Sequence, residues 1–228
     1  AEMSRSIPVL LDLMGPRYRL GWLPGQRHLA AGARVRLGTS QLEAELPVEA
    51  DVLEHLRPGE RLLIDNGIIE LEVEERSGDG CVARVLSGGT VSSRTGINLP
   101  DSRLPFDVSK KDRADIAFAV AQDVDYLAVS YVGAPEDLDA VRQEVRRSGG
   151  EIPLVAKLER ALAIENLDAI VPAADALMVA RGDLGVEVAL HTVPVLQKRI
   201  LDAGRRSGRP VIVATQMLES MVKQPRPT

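Results

Sequence analysis

The sequence predicts an α/β fold of the β/α-barrel kind, with a small β domain inserted after its first strand. Three observations carry that reading. Beyond residue 107, short aliphatic runs recur at intervals of about 25 to 35 residues with helical spacing between them, which implies βαβ units and a parallel sheet. Ten of the chain's 19 glycines fall between residues 24 and 100, where short segments alternate apolar with polar. Only six residues are aromatic while 45% are hydrophobic, so the core is aliphatic, as suits strands buried on both faces.

Taken in order, residues 7–13 are an apolar run bounded by Pro8 and Gly15-Pro16, a buried strand that ends in a loop. Within 24–100, residues 34–37, 62–64, 68–73 and 81–86 alternate as strands do, and 48–56 form a short helix stopped by Pro58-Gly59. Asp65-Asn66-Gly67 joins two of these strands as a hairpin turn, since Asn and Gly tolerate positive φ. Residues 110–122 have helical spacing behind Ser109, a residue suited to an N-cap. Strands follow at 126–132, 154–158, 176–180 and 211–214, separated by helices at 135–148, 161–171 and 193–206. The texture changes place the domains at 1–23, 24–101 and 102–228, the first and last forming one barrel segment.

Composition narrows the function classes. A net charge of −5 with dispersed basic residues argues against a nucleic-acid partner, and Arg205, Arg206 and Arg209 read as a solvated helix end. The lone Cys81 rules out an internal disulfide framework and suits a reducing compartment. No stretch approaches the roughly 20 apolar residues of a membrane span, and no signal-peptide layout opens the chain, so a cytoplasmic protein without a membrane partner is expected.

In a β/α barrel the reactive groups cluster at the carboxyl ends of the strands. One strand finishes Lys157-Leu158-Glu159, and spacing by two puts both charged side chains on one side. The cation could stabilise a developing anion and the carboxylate bind a divalent metal. Alone, the pair reads more simply as an exposed strand-end ion pair. The next strand ends Arg181-Gly182-Asp183-Leu184-Gly185, a glycine turn whose Asp183 is a second oxygen ligand and whose N–H groups could hold a carboxylate or phosphate. The last ends at Thr215, a hydroxyl for proton transfer or a simple cap. The histidines His28, His55 and His191 share no metal-ligand spacing.

At these strand ends the residues 178–187 (MVARGDLGVE) and 214–221 (ATQMLESM), followed by Lys223 and residues 225–228 (PRPT), resemble the signatures of pyruvate kinase. Residues 155–159 (VAKLE) resemble that family's catalytic lysine segment, and Asp65-Asn66-Gly67 with residues 96–100 (GINLP) resemble motifs of its small inserted domain. The resemblance implies a partial (β/α)8 barrel of the TIM type with an inserted small β-barrel domain. It implies phosphate transfer from phosphoenolpyruvate to ADP, giving pyruvate and ATP in glycolysis. Glu159 and Asp183 would hold Mg²⁺ or Mn²⁺, and Lys157 would stabilise charge on the transferring phosphoryl group and the enolate. Gly182 and Asp183 would bind the substrate carboxylate, Thr215 would support enolate protonation, Arg19 would contact phosphate, and Lys111 would assist near the nucleotide. The inserted domain would close as a lid.

Departures from the family pattern modify these expectations. Where the family reads LDTKGPEIR, residues 11–19 read LDLMGPRYR. Asp12 would belong to the family's K⁺ site, but Leu13 replaces its Thr, and a basic residue at the position of Arg17 relieves the K⁺ requirement in other members. Gly133 stands where many members have Arg. The chain matches barrel strands three to seven, so a longer natural chain forming a homo-oligomer is expected, with this piece inactive alone. Two other readings compete: a metal-dependent aldolase acting on pyruvate enolate, and a non-catalytic kinase-like interaction protein.

Overall fold

The computed structural model describes residues 7–40, 44–78, 80–103 and 105–226. The chain divides into two compact units, one formed by residues 1–16 with 106–228 and the other by 17–105. Strand β1 (Leu10–Asp12) opens the first unit. The second unit holds β2 (Tyr18–Arg19), β3 (Arg27–Leu29), β4 (Arg34–Gly38), β5 (Leu46–Pro47), helix α1 (Ala50–His55), β6 (Arg61–Ile64), β7 (Ile69–Ser77), β8 (Gly80–Ser87), β9 (Gly89–Val91) and β10 (Gly96–Asn98). The chain then returns to the first unit through α2 (Lys110–Ala121), β11 (Tyr126–Val129), α3 (Pro135–Arg147), β12 (Leu154–Leu158), α4 (Ala161–Glu165) and α5 (Leu167–Ala173). It continues with β13 (Ala176–Val179), α6 (Arg181–Glu187), α7 (Val193–Arg206) and β14 (Val211–Val213).

The second unit is a seven-stranded sheet in the order β2-β10-β6-β7-β8-β4-β5, and β3 and β9 pair antiparallel as a separate ribbon. Its texture boundary at residue 24 differs from the unit boundary because Tyr18 and Arg19 already pair with Ile97 and Gly96. Asp65, Asn66 and Gly67 take φ of 54°, 56° and 81°, turning β6 back into antiparallel register with β7. Three consecutive left-handed residues are affordable only to such side chains. Leu62, Ile64, Ile69, Leu71, Val73, Ala83 and Val85 fill its own aliphatic core.

The first unit is a parallel sheet in the order β1-β11-β12-β13-β14, every neighbour parallel, with helices between successive strands: a partial α/β barrel. Strand alternation sorts its side chains into two groups. Leu154, Ala156 and Leu158 join Leu127, Val129, Leu177 and Val179 under the helices, whereas Val155 joins Ala128 and Ala176 on the opposite face. α2 starts where Ser109 accepts from the Asp112 N–H and Asp112 reciprocates on the Ser109 N–H. That reciprocal cap satisfies two donors that the first turn leaves unpaired. In α3, Leu138, Val141 and Val145 make one buried stripe, with Glu136 and Asp137 in the first turn and Arg146 and Arg147 in the last, each favourable to the helix dipole.

Two elements differ from the sequence reading. The helix expected over 161–171 is broken into α4 and α5 at Asn166, whose side-chain Nδ2 donates to the Gly133 carbonyl at 2.7 Å. Residues 181–185, read as a glycine turn, begin α6 instead. Their two glycines suppress the helical pattern, and Leu184, buried in the core, restores it only in three dimensions.

Candidate functional site

The strand alternation that sends Val155 to the inner face sends Lys157 and Glu159 there too. Asp12 follows Leu10 on β1, and Ser130 follows Ala128 beyond β11, with Asp12 in register opposite Ala128 and Ala128 opposite Val155. The four polar side chains therefore meet at one end of the sheet. Lys157 Nζ donates to both Asp12 carboxylate oxygens at 3.0 Å and to Ser130 Oγ at 2.8 Å, and it lies 3.0 Å from Glu159 Oε1. Ser130 Oγ donates in turn to the Leu13 carbonyl at 2.7 Å.

Burial sets the electrostatics. The Glu159 side chain is 3% exposed, and its other oxygen accepts the Tyr131 N–H at 2.8 Å. Burial pushes its carboxyl above the ordinary value; Lys157 and the Tyr131 N–H oppose the rise, and Asp183 adds to it. For Lys157, burial alone would lower the ammonium, but Glu159 and Asp12 outweigh it and hold it above its usual value. The ammonium is thus a fixed cation at a strand end.

Asp183 lies in the first turn of α6, near enough for its charge to act on Glu159. The next strand end is tied to this turn. Arg181 Nε donates to the Ala214 carbonyl at 2.9 Å, a second guanidinium nitrogen donates to the Gln216 carbonyl, and the Gly182 N–H donates to Thr215 Oγ1 at 3.2 Å. Thr215 takes φ of 76°, a left-handed conformation that a β-branched residue adopts only under constraint. The Gly182 N–H expected to await a substrate carboxylate is therefore engaged by Thr215.

Lys111 and Arg19 each have a partner near their own position in the chain or unit. Lys111 pairs with Asp115 one turn along α2, and Arg19 belongs to the other unit, where it donates to the Arg94 carbonyl at 2.8 Å. Of the carboxy-terminal motif, residues 227–228 lie outside the described residues. The sequence reading gave no role to Ser130, Tyr131 or Arg181, although Arg181 opens one of its strand-end motifs. Ser130 shares the parity of Ala128 and directly follows its strand, the same kind of signal that marked the strand-end pair Lys157 and Glu159. Tyr131 acts through its main chain, which no side-chain pattern reveals.

Among the described residues no group of three or more His, Cys, Asp or Glu converges to hold a metal unaided. Glu159 and Asp183 suit a divalent ion of the Mg²⁺ type all the same. Such ions take one or two carboxylates and complete their shell with water and substrate oxygen. The buried Glu159 carboxyl, raised by burial and by Asp183, is also the kind of group that a cation would relieve.

Comparison with known proteins agrees with this geometry. The family model "Pyruvate kinase, barrel domain" matches residues 1–228. A pyruvate kinase of Mycobacterium tuberculosis (strain H37Rv) is 43% identical over 231 residues, covering 99% of this chain and 49% of that protein. Pyruvate kinases of Corynebacterium efficiens and Methylorubrum extorquens are 41% and 42% identical, each covering 100% of this chain. The chain spans about half the length of the curated relatives it matches. With the barrel-domain match running along its whole length, the chain belongs to the pyruvate kinase family.

Proposed function

We propose that this chain carries the phosphoryl-transfer centre of a pyruvate kinase, which moves phosphate from phosphoenolpyruvate to ADP and yields pyruvate and ATP. The observation that carries the reading is the Lys157 ammonium, fixed by Asp12, Ser130 and Glu159 beside a buried carboxylate that feels Asp183. Phosphoryl transfer needs little covalent help from protein. Its catalysis is mostly positioning and charge stabilisation, and a preorganised cation in a partly dry site supplies both.

In this reading Glu159 and Asp183 hold Mg²⁺ or Mn²⁺, which when bound neutralises charge on the substrate oxygens. Lys157 stabilises negative charge on the phosphoryl group and on the enolate left behind. The main chain at Asp183, at the start of α6, holds the substrate carboxylate, the Gly182 N–H being engaged by Thr215. Thr215, fixed by the Gly182 N–H, supports delivery of a proton to the enolate carbon. Arg19 and Lys111 are assigned to the phosphate and the nucleotide on the resemblance alone. Asp12 spends both oxygens on Lys157, which supports activity without added K⁺, Arg17 supplying the monovalent charge. Family membership also supports a cytoplasmic, glycolytic setting; no helix among the described residues is long and apolar enough to cross a membrane.

The test is a pyruvate assay on the intact enzyme carrying this chain. Pyruvate should appear only with phosphoenolpyruvate, ADP and a divalent cation together, and Glu159→Gln or Asp183→Asn should raise the cation concentration required. Aldol cleavage indifferent to ADP would overturn the reading, as would strict dependence on added K⁺ for the Arg17 assignment.

A further inference from the structure

We propose that Arg160 is a positioning residue for the divalent-cation site: its buried guanidinium braces the loop between β11 and α3, and that loop in turn fixes the Glu159 carboxylate. The inference rests on the reading of Glu159 and Asp183 as cation ligands given above.

Arg160 directly follows Glu159 and is 7% exposed, a depth that arginine reaches only with partners. Its guanidinium points across to the facing loop. A Cβ added at Gly133 would lie 3.6 Å from Arg160 Nη1 and 2.9 Å from Leu162 Cδ2. A side chain at 133 would press on Leu162 but would only touch the Arg160 guanidinium at ordinary van der Waals distance, so the guanidinium lies directly against this position. The first turn of α3 carries Asp137, whose Oδ2 accepts the Gly133 N–H at 2.7 Å and the Ala134 N–H at 2.9 Å. Burial pushes the Asp137 carboxyl above its ordinary value, against the opposing pull of these two N–H groups and of the Arg160 charge. From the other side, Asn166 Nδ2 grips the Gly133 carbonyl at 2.7 Å.

What this brace holds is Tyr131, two residues earlier. Its φ is 60°, and its N–H donates to Glu159 Oε2 at 2.8 Å. A left-handed residue other than glycine persists only where its surroundings over-determine it. Asp137, Asn166 and Arg160 converge on the peptides just beyond it. A path runs from Glu159 to Tyr131 by hydrogen bond, along the loop to Gly133, across to the Arg160 guanidinium that faces it, and back along the chain to Glu159. Groups that orient a ligating carboxylate in this way are commonly worth about 10- to 100-fold in metal affinity.

The experiment uses the intact enzyme and Mn²⁺ alone as the probe, with free Mn²⁺ counted by electron paramagnetic resonance. Arg160→Ala should weaken Mn²⁺ binding about 10- to 100-fold and lower kcat more than it raises the KM for ADP. Arg160→Lys should recover part of the affinity and Arg160→Gln less. Adding Gly133→Arg to Arg160→Ala brings a guanidinium into the same space from the end of the neighbouring strand, and should restore most of it. Unchanged Mn²⁺ affinity in Arg160→Ala overturns the proposal. So does a loss that tracks a fall in melting midpoint and is the same for Ala, Gln and Lys, which would make Arg160 a packing residue; this comparison stands even if the Gly133→Arg variant does not fold. An unsubstituted enzyme that binds no Mn²⁺, with Glu159→Gln indistinguishable from it, overturns the cation-site reading as well, whereas normal Mn²⁺ binding lost in Glu159→Gln but kept in Arg160→Ala overturns the Arg160 role alone.

Discussion

Lys157 is held by three oxygen-bearing neighbours at 3.0 Å or less, and two of them are carboxylates. Removing its charge would strand Glu159, whose side chain is 3% exposed. Lys157→Met should therefore lower kcat about 10²- to 10³-fold, the usual loss on deleting one transition-state charge partner. It should also cost about 3 kcal/mol of stability, because one partner of a buried pair is left unpaired. A coupled pyruvate assay and urea unfolding measure the two separately; full activity would remove Lys157 from the chemistry. Cys81 gives a second residue-scale expectation. Burial raises its thiol to about 11 from the ordinary 9.0. The folded state then holds its proton more tightly than the unfolded one, so this group's contribution is intact below pH 9 and is lost as pH rises towards 11. Thiol reagents at pH 8 should react in denaturant and hardly at all in the folded protein. Equal rates would contradict the burial.

At the scale of elements, strand alternation does most of the site-building. A shift of β12 by one residue would send Lys157 and Glu159 under the helices and bring Leu158 to the inner face. The ends of the elements are fixed by small polar devices. Ser109 and Asp112 cap α2, and Asp112 also accepts the Gly15 N–H at 3.3 Å, joining this cap to the loop after β1. Ser109→Ala should cost about 1 kcal/mol, seen as a lower urea midpoint with an unchanged slope. Asp112→Ala should cost more, since it frees a donor in that loop as well as the cap; a smaller loss than for Ser109→Ala would refute the link. The cadence of strands and helices was legible because apolar periodicity is a local signal. The first turn of α6 and the break at Asn166 were not, because one depends on burying Leu184 and the other on a hydrogen bond to Gly133 thirty-three residues away.

On the scale of the whole molecule, the two units keep separate aliphatic cores. Residues 17–105 contain their own seven-stranded sheet, hairpins and core, so this segment made alone should give a dispersed amide spectrum and one cooperative urea transition. A gradual, non-cooperative loss of structure would show that it borrows stability from elsewhere. In the other unit, β1 and β14 are the edges of the parallel sheet, and Ile212 on β14 is 40% exposed. Unpaired strand edges of this kind invite pairing with further strands.

The sequence by itself determined the two-unit plan, the parallel cadence, the turn at residues 65–67 and the parity that puts Lys157 beside Glu159, because each is written in neighbours a few positions apart. Its long strand-end motifs also carried the family. Only the tertiary structure decided who holds whom. Asp12 and Lys157 are 145 positions apart, Ser130 and Lys157 are 27, and the Tyr131 N–H reaches Glu159 through a backbone conformation rather than a side-chain type. Such partnerships depend on the packing of three separate segments, and local periodicity carries no information about distances between strands.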